Sequence, residues 1–179
     1  MRAAVLALSL IASTGSAIAA VPAEHLEQYG KGIITDYSPL EQSEQIEWLW
    51  LAPGLQLSAH RFDLRSYENL TLLVDDELDG VLEGGLPRVL ARAGSRDEAA
   101  PALFVDVAVY WAERANRAKR WIPYAGAHVA QAGVGVELVL TDADGNVVGL
   151  MRHSGREGDE LKLAAQELVD EIASFVNAN

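Results

Sequence analysis

The sequence predicts an α+β domain, a two-layer sandwich with an antiparallel or mixed sheet of about five strands and two helices packed on one face. Three observations carry that expectation. Leu103, Val105, Val107, Val109 and Trp111 alternate with Phe104, Asp106, Ala108 and Tyr110, the period-two pattern of a strand with one buried face. Ala132 to Thr141 and Val147 to Arg152 flank Asp142-Ala143-Asp144-Gly145-Asn146, which reads as a hairpin. Apolar residues recur at helical spacing in two further stretches, one ahead of these strands and one closing the chain.

Taken in order, residues 1–19 read as an export leader. Arg2 supplies the positive start, Ala3 to Ala12 an apolar core, and Ala17-Ile18-Ala19 the small-x-small pattern of a cleavage site. The apolar run is too short to stay across a bilayer, so the mature chain is expected to begin near Ala20, outside the cytoplasm. Residues 20–45 are polar and carry Pro22, Gly30, Gly32 and Pro39, and read as a lead-in or tether with few regular elements. Residues 46–179 then form a single domain.

Glu47 to Leu51 is the first strand, Trp48 and Trp50 pointing one way and Leu49 and Leu51 the other. Pro53-Gly54 turns the chain, Leu55 to Ala59 resumes the alternation, and Asn69 to Val74 suits a more buried strand. Asp75-Asp76-Glu77 marks a helix start, followed by a stripe of Leu78, Val81, Leu82, Leu86, Val89, Leu90 and Ala93. Gly80, Gly84, Gly85 and Pro87 are expected to kink or split that helix, and Gly94 to stop it. Glu160 to Val176 is the closing amphipathic helix, with Leu161, Ala165, Leu168, Ile172, Phe175 and Val176 along one side.

Composition narrows the chemistry. Half of the 179 residues are hydrophobic, enough for a core, and aromatics supply only 7%, so Leu, Val and Ala must build it. No cysteine is present, which removes disulfides, thiolate nucleophiles, cysteine metal sites and a lipidated cysteine. The expected form is therefore periplasmic, soluble and not lipidated. The formal charge of −12 would repel nucleic-acid phosphates and favours solubility.

No catalytic constellation stands out. Asp142-x-Asp144-Gly145-Asn146 has its glycine in the wrong place for a calcium loop and His153 where a bidentate Glu is needed, so it reads as a turn. His25, His60, His128 and His153 stand at no zinc spacing, and His153 reads as an exposed strand end. Gly126, Gly133 and Gly135 match no phosphate-binding pattern, and Asp106 reads as a solvated or salt-bridged carboxylate. No cofactor and no metal are expected.

One segment stands apart. Nineteen residues, Ala112 to Ala130, separate two good strands, where a hairpin needs about two to five. They hold Arg114, Arg117, Lys119 and Arg120, four of the fourteen Lys and Arg residues, then Trp121, Pro123 and Tyr124. Strand extension into a charged edge is one reading of the segment. The leading expectation is a non-enzymatic periplasmic protein that binds another envelope protein or an anionic envelope surface. Arg114, Arg117, Lys119, Arg120, Trp121 and Tyr124 would be the contact set. The alternatives are a periplasmic hydrolase built from Asp106, His128 and His153, and a small-ligand carrier with a cleft between sheet and helices.

Two further stretches carry a resemblance. Gly32-Ile33-Ile34-Thr35-Asp36-Tyr37-Ser38-Pro39-Leu40 is similar to a Gly-apolar-apolar-x-Asp-Tyr-Ser-x-Leu opening, and Trp50-Leu51-Ala52-Pro53-Gly54-Leu55-Gln56-Leu57-Ser58 to an aromatic-x-x-Pro-Gly-x-x-Leu-Ser step. Both patterns belong to a family of uncharacterised proteobacterial envelope proteins, mostly predicted outer-membrane lipoproteins, which this chain resembles. The Gly133-Val134-Gly135-Val136-Glu137 strand and the turn from Asp142 to Gly149 are similar as well. The resemblance implies an envelope location and a small βα fold, transfers no catalytic residue, and departs in the missing lipidated cysteine. On physical grounds, Asp36-Tyr37-Ser38-Pro39 reads as a structural clasp, Tyr37 burying its ring while its hydroxyl finds a partner.

Overall fold

A computed structural model of the chain describes residues 20–116 and 131–179. The leader 1–19 lies outside them, as do Arg117, Lys119, Arg120, Trp121, Tyr124 and His128. Among the described residues the order is α1 (Ala23–Tyr29), β1 (Glu41–Gln42), β2 (Trp48–Leu51), β3 (Arg61–Asn69), α2 (Asp76–Asp79), a π-helical stretch (Gly80–Gly85), α3 (Leu86–Ala93), β4 (Ala102–Glu113), β5 (Gly133–Thr141), β6 (Val147–Arg156) and α4 (Leu161–Ala178). The strands form one open mixed sheet in the order β1-β2-β6-β5-β4-β3. The β3–β4 pair is parallel, joined through the α2–α3 helix, and the others are antiparallel. The class is therefore α+β as expected, with six strands rather than about five and a third helical body, α1.

The helix layer follows from two stripes. Along α4, Leu161, Ala164, Ala165, Leu168, Val169, Ile172, Phe175 and Val176 are buried, a three-and-four spacing that keeps one face inward. Along α2–α3, Leu78, Leu82, Leu86 and Leu90 are buried, each four residues from the last. In an α-helix of ~3.6 residues per turn that spacing drifts around the axis, and the wider π turn over Gly80–Gly85 brings it back. The glycines and Pro87 thus make a π bulge rather than a break. Asp75 starts the helix as expected, its carboxylate accepting the Leu78 N–H at 3.1 Å. Both stripes pack on Leu103, Val105, Val107, Val109, Val134, Val136, Leu138, Leu140 and Met151, the helix face of the sheet.

Two expected strands take other forms. Leu55 to Ala59 is not a strand, and Leu57–Ala59 is a 3₁₀ turn with Leu57 buried in the core, because β1 and β6 already flank β2 and the chain must cross to the far edge. Asn69 to Val74 is not a strand either. The strand is the charged segment before it, β3, which tolerates exposure because it is an edge.

Residues 20–45 are a packed layer and not a tether. Val21, Ile34, Tyr37 and Leu40 are buried with Trp48 and Leu150 on the back face of the sheet, opposite the helices. The sandwich is therefore covered on both faces where this strap lies. A register shift between Val109 and Trp111 also turns Trp111 away from the valine row, so it lies on the back face against Tyr29 and across Gly133.

Candidate functional site

Glu113 and Gly133 are the last paired residues of β4 and β5. The chain leaves the sheet at Arg114 and returns to it from Ala132, so the nineteen residues between begin and end at one place. At this root the described residues form an open, polar cleft of about 620 Å³ between the end of β4 and the starts of α2 and α4. Asp75, Glu77, Arg114, Asn116, Glu160 and Lys162 line it. Arg114 Nη2 lies 3.4 Å from Asp75 Oδ2, with the arginine side chain 65% exposed. An ion pair so open to water holds the guanidinium only loosely, at roughly 0–1 kcal/mol. The root therefore offers a cation and carboxylates for polar contact. Of the six expected contact residues, Arg114 is the one among the described residues, and the other five lie outside them.

Of the three residues of the hydrolase alternative, Asp106 and His153 lie on opposite faces of the sheet, and His128 lies outside the described residues. Asp106 lies on the back face, where Arg65 Nε donates to it at 2.9 Å and Ser66 Oγ at 2.7 Å. The hydrogen bond from Arg65, ahead of that from Ser66, holds its carboxyl below the usual range. His153 lies on the helix face, its ring 8% exposed rather than at an open strand end. The Glu47 N–H donates to its Nδ1 at 3.2 Å, so Nε2 carries the proton and donates to Glu171 of α4 at 2.8 Å. Ser66 and Asp106 pair on one side of the sheet, and His153 and Glu171 meet on the other. Among the described residues no three His, Asp or Glu side chains form a metal-binding group. Between the middle of the sheet and the helices, Val105, Val107, Leu138, Leu82 and Leu168 are packed, all essentially without exposure.

Sequence reasoning missed the most buried polar feature. Glu137 of β5 and Arg152 of β6 are cross-strand partners on the back face, ion-paired, each without solvent exposure. The strap adds three hydrogen bonds to them. Ile34 N–H donates to Glu137 Oε2 at 2.9 Å, Tyr37 O–H to Oε1 at 2.8 Å, and Arg152 Nη2 to the Gly30 carbonyl at 2.9 Å. The guanidinium also lies over the Tyr110 ring, 3.5 Å from its centroid. Burial, then the Glu137 carboxylate, push the Tyr37 hydroxyl up to about 12. Tyr37 thus does act as the expected clasp. A plain count from the Asp142–Asn146 turn would set Glu137 opposite Met151; the register shift between Leu140 and Thr141 is what brings Arg152 opposite it, so the pairing was not legible from the hairpin alone.

No protein-family model matches the chain, and no curated protein does. Among solved structures it is similar to the PelC dodecamer from Paraburkholderia phytofirmans, with 15% identity over 70% of this chain and 94% of that one, at a TM-score of 0.44. A single-residue variant of the same dodecamer gives 17% identity over 72% and 94%, at a TM-score of 0.42. These likenesses are too slight to bear on assembly or activity. The chain's class rests on its own geometry: an α+β domain whose described residues form an open mixed sheet of six strands. No helix among the described residues is long and apolar enough to cross a membrane.

Proposed function

We propose that this is a non-enzymatic binding domain of the periplasm, released from its leader near Ala20, that holds another envelope component through the segment from Arg114 to Tyr124. One observation supports the reading above the rest. Because Glu113 pairs with Gly133, the fold needs no more than a short turn there, so the length and composition of the excursion serve something other than connection. Four basic side chains with Trp121 and Tyr124, in a chain of charge −12, supply the usual anchors of a contact surface. The resemblance to envelope proteins of unknown function agrees with the compartment.

The test is an in-cell photo-crosslinking scan with the crosslinker at Arg117, Trp121 or Tyr124, and controls at Ser174 and Asn177 on the exposed side of α4. A discrete adduct from the excursion and none from the controls is expected. Equal labelling from both, or none from either, overturns the assignment. The intact mass of the exported protein checks the leader, and a chain starting near Ala20 is expected.

A further inference from the structure

Among the described residues, the buried side-chain nitrogens without a hydrogen-bond partner gather around α1. They are His25 Nε2, Trp48 Nε1, Arg152 Nε and Arg156 Nη1. His25 belongs to the helix, and the other three lie on the sheet next to it. The His25 ring stands edge-on to the Trp48 indole, centroids 6.3 Å apart, and Trp48 is the cross-strand partner of Arg152. Arg156 lies over Trp111, which meets Tyr29 of α1 edge to face at 5.2 Å. Folded proteins leave few such groups unpaired, because each has given up its bond to water and gained none in return. Their concentration at one contact marks an element that is weakly held.

The way α1 is attached agrees. Of residues 20–30, Val21 alone is buried, and no residue within the helix is. Gly30 ends the helix at φ +86°, a conformation open to glycine, and its carbonyl accepts from Arg152 Nη2 at 2.9 Å. Beyond it, Ile34 and Tyr37 fasten the strap to Glu137. The helix can therefore turn about Gly30 while the strap stays in place. His25 is the group that can set it moving. Its side chain is 19% exposed, and Nε2 stands 3.8 Å from Glu47 Oε1, beyond hydrogen-bond distance, while Glu47 Oε2 accepts from Ser154 Oγ at 2.9 Å. A proton on His25 would add a second cation near Arg152 where water is largely excluded. Glu47 is the one carboxylate there to offset it. Glu137 is already paired with Arg152, Trp48 and Tyr29 present rings, and Glu24 and Glu27 of the helix itself are exposed. Burial holds the imidazole below its ordinary 6.5; the Glu47 carboxylate opposes this, and Arg152 adds to it. The docked helix thus takes the proton less readily than the free one, so docking is whole above about pH 6.5 and weakens as the pH falls through it. We infer that α1 is an acid-released latch. With His25 neutral it lies across the back face; with His25 protonated it swings away about Gly30 and uncovers Trp48 and Trp111.

Hydrogen exchange of the full chain, expressed with its leader, tests this, each amide rate being divided by that of an unstructured peptide at the same pH. A helix of 7 residues has no stability of its own, so its amides lose protection once it leaves the sheet. Protection of the α1 amides is expected to fall about fivefold or more between about pH 8 and about pH 5, while β5 and β6 keep theirs. His25→Phe keeps a ring beside Trp48 and takes no proton, so its protection should stay high at both ends of that range. His25→Lys, charged throughout, should leave α1 unprotected at both. An undiminished acid response in His25→Phe overturns the latch, as does protection that rises with acid, which would mean that Glu47 captures the charged ring. A fall shared equally by β5 and β6 overturns it as well, since the whole domain would then be opening.

Discussion

Glu137 and Arg152 show how a few residues of a remote segment make a costly arrangement stable. A carboxylate and a guanidinium without solvent exposure have lost their hydration, and their mutual attraction does not by itself make that good. Ile34, Tyr37 and Gly30 supply further hydrogen bonds, leaving Arg152 Nε without one, and Gly32 lets the strap come close enough, since a Cβ there would sit 2.3 Å from Glu137 Oε2. Arg152→Met, which leaves the carboxylate buried and uncompensated, is expected to lower the unfolding free energy by about 3–5 kcal/mol in denaturant titration. Glu137→Leu/Arg152→Met should recover most of that loss, and a double variant no better than the single one would rule the account out. Tyr37 adds a pH dependence of definite sign. Its hydroxyl moves from an ordinary 10.0 to about 12 on folding, so its share of stability is whole below pH 10 and is lost as the pH rises toward 12. Tyr67 and Tyr110 are also pushed up by burial, so the alkaline loss is shared, and Tyr37→Phe should shrink its slope without abolishing it.

At the scale of elements, departures from regularity matter as much as the regular parts. Gly80 sits at the junction of α2 and the π stretch in ordinary helical conformation, and a Cβ there meets nothing within 4 Å. Gly80→Ala is therefore expected to stabilise the domain by about 0.5–1 kcal/mol, read as a higher melting temperature. The elements legible in advance were those whose pattern repeats: the valine row of β4, the β5–β6 hairpin, both helical stripes and the Asp75 start. Those that misled were settled by neighbours. Asn69 to Val74 has strand composition, but Asn69 folds the backbone onto itself, and the charged β3 takes the place because an edge tolerates polar residues. Trp111 fits the alternation until a one-residue bulge turns it over. Arg114 was legible as a candidate contact from composition alone, whereas its Asp75 partner, thirty-nine positions away in sequence, depends on the crossover that brings α2 to the end of β4.

For the whole molecule, the division between scaffold and excursion is testable by removal. Deleting residues 117–130 keeps Ala132, which is buried and exchanges hydrogen bonds with Glu157 and Gly158, and leaves about five residues between β4 and β5. The shortened chain is expected to unfold cooperatively within a few degrees of the parent in a calorimeter. Loss of the cooperative transition would instead make the excursion part of the core.

The strap also has a consequence in time. Its anchoring contacts join residues 100, 103 and 122 positions apart, so the first part of the chain to be made is the last that can be secured. Until β5 and β6 have formed, Trp48 and Leu150 have no cover from Val21, Ile34, Tyr37 and Leu40. Refolding should therefore show an early phase in which the helix layer closes and a later one in which indole emission shifts as the strap docks. Between the two, a nascent molecule displays an apolar face on which a folding helper can act.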